Sequence, residues 1–353
     1  MDRQSVLVAM SGGVDSSVAA YLLIGEGYSV SGAMMRLFSG PSVGLPEDTQ
    51  DDAGDAAAAA LALGMDFSVL DFENEFRREV IEKFADGYLS GVTPNPCLLC
   101  NRSLKFGRFA EYAFSNGYDF IATGHYARKE RAADGEYLLR KAADPSKDQS
   151  YVLYALDQRL LARVLFPVGT LTKDRVREIC AENSLVCGVK KESQDICFIK
   201  DGDYRRFLEF LHPGCMKRGS FADASGRVMG THTGFAAYTV GQRRGLGISS
   251  SAPLYVIGKD ARTNTVTLGH ADELWSKRLS AKDVNFISGR FPSAPLKVSA
   301  RIRYNQKESP ATVWPDGDSS VTVEFESPQR AVSPGQAVVF YDGEYVLGGG
   351  TIV

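Results

Sequence analysis

The stretch Val6-Leu7-Val8-Ala9-Met10-Ser11-Gly12-Gly13-Val14-Asp15-Ser16-Ser17 constrains this chain more than any other. Its first residues form a short apolar run that reads as a buried strand. A polar turn with two glycines follows, and Val18-Ala19-Ala20-Tyr21-Leu22-Leu23-Ile24 reads as a helix folding back on that strand. Strand, glycine turn and helix is the unit by which α/β proteins present backbone N–H groups to a phosphate. Glycine lets the backbone come close, and the start of a helix adds roughly half a positive charge. No Gly-Lys-Ser/Thr follows, so this is not a Walker loop. Without a ligand, the same residues read as a tight turn into a helix, with Ser11 or Asp15 as cap.

The next hundred residues repeat the alternation. Tyr28–Leu37 reads as a second strand, Asp51–Leu63 as a helix, Asp66–Phe72 as a third strand and Glu75–Leu89 as a helix. Asp119–His125 reads as a fourth strand ending in glycine, and Ser39–Gln50, with its Gly, Pro and Ser, as an exposed loop. This pattern predicts a parallel sheet with helices on both faces, and such sheets bind nucleotides beyond the carboxyl ends of their strands. The loop at 11–16, Met35 and the pair Gly124-His125 all fall at that edge. On its own Met35 reads as core packing.

At 353 residues the chain is long enough for two or three domains. No apolar run approaches the roughly 20 residues that span a bilayer. The first apolar run is five residues long and leads straight into the glycine turn, unlike a signal peptide; a cytoplasmic protein with no membrane partner is expected. Net charge is −3, which argues against a nucleic-acid binder, but the distribution argues the other way. Residues 47–86 carry 12 acidic and 3 basic side chains, whereas 205–244 carry 7 basic and 2 acidic, and 277–308 carry 8 basic and 2 acidic. Basic segments of this kind can neutralise phosphates.

Six cysteines in a chain this long do not make a disulfide scaffold; they are thiols, ligands or catalysts. Two lie in Thr93-Pro94-Asn95-Pro96-Cys97-Leu98-Leu99-Cys100-Asn101-Arg102. The prolines predict an extended entry and a helix that begins near Cys100 and runs to Asn116. At a helix start beside Arg102 and Lys105, Cys100 is expected to have a lowered pKa. Cys197 follows Glu192-Ser193-Gln194-Asp195-Ile196 and reads as a strand end. Cys180, Cys187 and Cys215 form no second Cys-x-x-Cys pair, so no four-cysteine zinc site is expected. Lys147-Asp148-Gln149-Ser150-Tyr151 reads as a helix start with Ser150 as cap, and Lys173–Asn183 as a helix capped by Thr172.

From Gly202 the pattern changes. Asp203–Leu211 reads as a short helix, and Gly214–Gly247 is rich in Gly, Arg and Lys. Tyr255–Gly258 and Thr265–Gly269 read as a hairpin. From about Asp283 short alternating runs (Lys297–Arg303, Ala311–Trp314, Ser320–Phe325, Ala337–Tyr341, Tyr345–Val353) are separated by Asp-Gly and Pro-Gly turns, which predicts a small antiparallel barrel. Arg301-Ile302-Arg303-Tyr304 offers charge and a stacking ring to RNA. The expected architecture is therefore an α/β domain with a parallel sheet over 1–201, a small central domain over 202–278 and a C-terminal antiparallel β-barrel over 279–353.

Ser-Gly-Gly-Val-Asp-Ser resembles the pyrophosphate loop of the ATP pyrophosphatase superfamily, whose members split ATP between its α and β phosphates and adenylate a substrate oxygen. Thr-Pro-Asn-Pro with Cys100-Asn101-Arg102, Thr-Gly-His-Tyr-Ala-Arg at 123–128, Lys-Asp-Gln-Ser-Tyr at 147–151, Ser-Gln-Asp-Ile-Cys-Phe-Ile at 193–199 and Gly-Gln-Arg-Arg-Gly-Leu-Gly-Ile at 241–248 then occur in order. Together they resemble the bacterial tRNA-specific 2-thiouridylase family over nearly the whole chain. The resemblance implies ATP-dependent 2-thiolation of the wobble uridine of tRNA, with Mg2+ and a sulfur-donor protein, either a cysteine desulfurase or a relay protein. It implies ATP contacts at Ala9, Met10, Ser11, Gly12, Gly13, Val14, Asp15, Ser16, Met35 and Gly124. It makes Cys197 the persulfide carrier and Cys100 the nucleophile that resolves it. It puts tRNA contacts at Asn95, Pro96, Cys97, His125, Lys147, Asp148, Gln149, Arg303, Tyr304 and Gln336. Many members carry aspartate where this chain has Cys97, which leaves proton transfer to a thiol and makes Cys97 a further catalytic candidate. Cys97, Cys100 and Cys197 together also offer ligands for a [4Fe-4S] cluster. Two other classes compete: an ATP-pyrophosphatase amide ligase, which leaves the cysteines unexplained, and a non-catalytic RNA binder, which has no use for the intact loop.

Overall fold

The computed structural model of the chain describes residues 3–45, 52–186 and 196–353. Asp51, the end of the loop at 39–50, Cys187 and the motif residues Glu192, Ser193, Gln194 and Asp195 lie outside the described residues.

β1 (Ser5–Ala9) is an almost wholly buried apolar strand, and it sits in the middle of a five-stranded parallel sheet. β2 (Ser29–Arg36) flanks it on one side and β4 (Phe120–Thr123) on the other. β3 (Phe67–Asp71) lies outside β2, and the two-residue β7 (Val164–Leu165) outside β4. Ala9 stands in register with Ala33 and with Thr123, so the carboxyl ends of β1, β2 and β4 form one edge. The chain order reverses at β1, which opens a crevice there. α1 (Val14–Gly25) returns from that edge and buries Val18, Ala19, Ala20 and Leu23. The parallel α/β expectation is met.

A four-stranded sheet follows, in the order β10 (Tyr255–Asp260), β11 (Thr265–Gly269), β8 (Gly219–Asp223), β9 (Val228–His232). The anticipated hairpin is its β10–β11 pair. The C-terminal strands β12 (Trp275–Phe286), β15 (Val321–Arg330), β14 (Ser309–Pro315), β13 (Leu296–Arg301), β16 (Ala337–Asp342) and β17 (Tyr345–Ile352) form a barrel closed by the β12–β17 pairing. β12 starts eight residues earlier than the alternation suggested. Its first residues pair with Gln329 and Arg330 and are mostly exposed, so they carry no apolar period to read. A hairpin from the first half of the chain, β5 (Arg128–Arg131) and β6 (Tyr137–Arg140), adds to the outside of β17. Its Leu139 is fully buried, in one cluster with Val339, Tyr341 and Val346 of the barrel.

Candidate active site

The glycine turn is held open by its own side chains. Ser16 Oγ donates to Gly13 O at 3.1 Å and accepts from Ser11 N–H at 3.3 Å. Ser17 Oγ also donates to Gly13 O. Gly12 adopts φ +70, a conformation a side chain would strain. The N-cap of α1 is Gly13, with no side-chain cap; neither Ser11 nor Asp15 fills that role, contrary to the cap reading. The first-turn amides of α1 therefore have no side-chain cap, an arrangement that suits an anion. Gly124, just past β4, approaches this turn so closely that a Cβ there would lie 3.0 Å from the backbone carbon of Asp15 and from Ser16 N.

Sequence reasoning missed two residues here. Lys173 Nζ donates to both carboxylate oxygens of Asp15, at 2.7 and 2.8 Å, and the Tyr126 hydroxyl donates to Oδ1 at 2.7 Å. Lys173 is buried, at the first position of a helix (Lys173–Glu182) whose cap is Thr172, as anticipated. A lysine at a helix N-terminus opposes the macrodipole. That mismatch was the available signal. Gln149 Oε1 accepts from Tyr126 N–H, so the 147–149 segment is tied to the same loop.

The second cluster is sulfur. A helix runs over 96–115 and starts at Pro96, four residues before the expected Cys100. Proline is tolerated at a first helical position, and Asn95 Oδ1 caps the helix by accepting from Cys97 and Leu98 N–H. The 101–108 portion is π-helical, and Gly107 permits it: a Cβ there would meet Arg102 O at 3.0 Å. Cys97 is exposed and Cys100 buried, one turn apart. Cys197 lies exposed in a turn, not at a strand end. Cys100 nonetheless lies in one buried cluster with Phe198, against which Ile196 packs, so both chain neighbours of Cys197 meet Cys100 and the distant cysteines share one site, within electrostatic reach of each other and of the Lys105 ammonium.

The expected acidic thiol is not found. Desolvation pushes Cys97 and Cys100 above the ordinary thiol value and pushes Cys197 up to about 12; Lys105 pulls each of them down by less. At the buried Cys100 loss of water outweighs the helix terminus and the neighbouring cation; Cys97 and Cys197 keep exposed surface, and the protein packed around them shifts their thiols the same way. Among the described residues no group of three His, Cys, Asp or Glu side chains is placed to hold a metal ion.

The remaining residues fall into two groups. Gln336 Nε2 donates to Thr93 O at 2.7 Å, and Thr93 N–H donates to Pro334 O at 2.8 Å, so a barrel turn is clamped to the entry of the cysteine helix. Gly335, at φ +89, lies against Thr93 with no room for a Cβ. Tyr304, partly exposed, meets Tyr151 edge-on at 6.0 Å. Arg303 lies past the end of β13, not within the strand anticipated over Lys297–Arg303, and its Nη2 donates to Ala331 O and Ser333 Oγ. Two expected contacts point inward. His125 is buried between Phe106 and Phe166, bonded through Nδ1 to Thr123 Oγ1 at 2.8 Å, and burial holds its pKa well below the ordinary value, so the ring is neutral. Asp148 is buried too; it accepts from Ala142 N–H, Ser150 N–H and Ser150 Oγ, and lies 3.8 Å from Arg301. Ser150 is thus a donor to Asp148 and not a helix cap; a short 3-10 turn, Ser150–Leu153, stands where the helix was expected.

Comparison with known proteins agrees with this arrangement. Residues 4–201 match the family model described as the tRNA methyl transferase HUP domain, 207–270 its PRC-barrel domain, and 276–352 the aminomethyltransferase beta-barrel domain. The tRNA-specific 2-thiouridylase MnmA of Acetivibrio thermocellus is 45% identical over 100% of both chains. That of Carboxydothermus hydrogenoformans is 46% identical over 99% of this chain and 98% of its own, and that of Clostridioides difficile 44% identical over 99% and 98%. With a pyrophosphate-type loop on a parallel sheet, two distant cysteines in one site and this likeness from end to end, the chain belongs to the tRNA-specific 2-thiouridylase family.

Proposed function

We propose that this protein is a tRNA-uridine 2-sulfurtransferase that thiolates the wobble uridine at the expense of ATP. What supports the reading most is the nearness of Cys197 to Cys100, two thiols 97 positions apart in sequence, beside a sheet edge built for a triphosphate.

The chemistry follows from leaving groups. A uridine O2 leaves poorly, but once it attacks the α phosphate and expels pyrophosphate it leaves as AMP. The amides of the turn at 11–16 hold the phosphates, and Met35 and Gly124 line the nucleotide's edge of the sheet. Lys173, fixed by Asp15, supplies positive charge beside the turn. Cys197 carries a persulfide from a sulfur-donor protein, for which its exposed turn is accessible. The terminal sulfur attacks C2 and AMP departs. Cys100 then attacks Cys197 Sγ, the bond to the transferred sulfur breaks, and the thiocarbonyl is released as the two cysteines close a disulfide. The transferred sulfur is reduced by the two electrons the thiols give up. An external thiol must reopen the disulfide for the next turnover.

Mg2+ would supply charge neutralisation of the phosphates. Asp15 is already committed to Lys173 and Tyr126, so the residues present suit an ion held by phosphate oxygens and water instead of a protein cage. Asn95, Cys97, Lys147, Gln149, Arg303, Tyr304 and Gln336 are assigned to the surface for tRNA, with the buried Pro96 shaping it at the entry to the cysteine helix. His125 and Asp148 support that surface from beneath. No helix of the described residues is long and apolar enough to cross a membrane, and a cytoplasmic setting is part of the proposal.

The test is mass analysis of tRNA after incubation with ATP and a persulfide-charged donor. Wild-type protein adds the mass difference between sulfur and oxygen to one uridine. Cys197→Ser abolishes this gain while AMP formation from ATP stays detectable; normal thiolation by that variant would refute the persulfide role.

A further inference from the structure

Surface arginines in this chain usually come with carboxylates. Arg36, Arg108, Arg227 and Arg278 each lie 2.5–3.0 Å from an Asp or Glu oxygen. Arg243, Arg244 and Arg330 are exposed and have no ion pair among the described residues. Arg303, half-buried, also lacks a carboxylate; its guanidinium is held by a backbone carbonyl and a serine hydroxyl.

The backbone gathers these four at one seam between the central sheet and the barrel. Gly241 N–H donates to Val256 O at 2.8 Å and Val256 N–H to Gln242 O at 2.9 Å, which pins the loop bearing Arg243 and Arg244 to β10. Tyr255, next on that strand, lies under the Arg330 guanidinium, 5.2 Å from ring centroid to Cζ. A Cβ on Gly241 would meet Ala331 Cβ at 2.8 Å and Arg303 Nη2 at 3.9 Å, so the loop touches the barrel where Arg330 and Arg303 stand. Arg303 is lowered in pKa by burial and then by the charge of Arg330, which shows that the like charges feel each other. Beside them lies a groove of about 450 Å3, lined by Arg243, Gly245, Ser250, Ser251 and Pro253. Four arginines brought by the backbone to one seam, none paired with a carboxylate among the described residues, next to hydroxyl donors and a tyrosine ring, suit a chain of phosphates joined by sugars and bases.

We propose that this seam is a binding surface for the sugar–phosphate backbone of RNA, with Arg243, Arg244 and Arg330 each engaging phosphate oxygens. The inference rests on the reading of tRNA as substrate and extends its footprint from the cysteine helix across the central domain. The probe is an unmodified tRNA transcript, with its binding followed against salt concentration. For Arg243→Ala/Arg244→Ala the slope of log K against log salt falls by roughly 1–2, and binding near 0.1 M salt weakens by about tenfold or more. Arg330→Ala lowers the slope by roughly one. Arg243→Lys/Arg244→Lys keeps the charge and keeps most of the slope, which separates charge loss from misfolding. Arg278→Ala, already paired with Glu324, changes neither quantity. An alanine pair that binds and titrates with salt like wild type would overturn the seam while leaving the thiolation reading intact, provided wild type still thiolates the transcript. Wild-type protein that binds no tRNA would overturn both.

Discussion

Lys173→Met removes an ammonium that makes two bonds to Asp15, at 2.7 and 2.8 Å, from a buried position behind the glycine turn. Methionine keeps most of the volume, so the change is chiefly one of charge. Asp15 then retains only the Tyr126 hydroxyl and turns an uncompensated negative charge toward the phosphates. At an effective dielectric near 20, a unit charge about 6 Å from another contributes on the order of 3 kcal/mol. Solvent screening at the partly exposed Asp15 cuts this to about 2 kcal/mol, or roughly 30-fold in ATP affinity. Stability also falls, by about 1–3 kcal/mol, because a carboxylate loses its partner. Calorimetric titration with a non-hydrolysable ATP analogue and thermal unfolding separate the two effects. The double variant Asp15→Asn/Lys173→Met removes the orphaned charge; it recovers stability and most of the ATP affinity. Unchanged ATP affinity in folded Lys173→Met would refute the argument and leave the pair a purely structural tie.

The raised thiols set a pH dependence. Cys100 sits above the ordinary thiol value and is protonated near neutrality, so single-turnover release of thiolated tRNA rises about tenfold per pH unit through the range below that pKa. Lys105→Ala removes the cation that favours the thiolate and moves the whole profile to higher pH; an unmoved profile would show that another group activates Cys100. Gly124→Val pushes a branched side chain into backbone only 3.0 Å from its Cβ. It weakens ATP binding by about tenfold or more while tRNA binding stays within about twofold, since overpacking against backbone costs about 1–3 kcal/mol; filter binding with each ligand checks it.

Much of this fold was legible because its signals are local. The apolar run at 6–9, the glycine turn and the helix at 14–25 are contiguous, and the turn-bounded runs after residue 296 carry a period of two. What failed was longer in range. Lys173 and Tyr126 reach Asp15 across 158 and 111 positions, and no spacing rule connects them. Pro96 reads as a breaker because the cap that makes it acceptable, Asn95, is itself hemmed between two prolines. The acidity expected of Cys100 failed for a different reason. Helix terminus and lysine are visible in sequence, whereas the desolvation that outweighs them exists only once Phe198, Phe84 and Leu104 have packed nearby. Asp148 and His125 sit in motifs that suggest contact with RNA, yet both are interior, because a motif records which residues matter and not which way they face.

The β5–β6 hairpin has a consequence for how the molecule can be dismantled. Leu139 is fully buried against barrel residues, and Tyr345 and Val346 are hydrogen-bonded to strand residues some two hundred positions upstream. A chain truncated before residue 275 would leave this apolar ribbon and its open edge in water, inviting other copies to pair there. A protease cutting between the central sheet and the barrel would yield two fragments that still migrate together. Shortening the enzyme to its nucleotide-binding half thus requires new polar residues on the hairpin, not merely a stop codon.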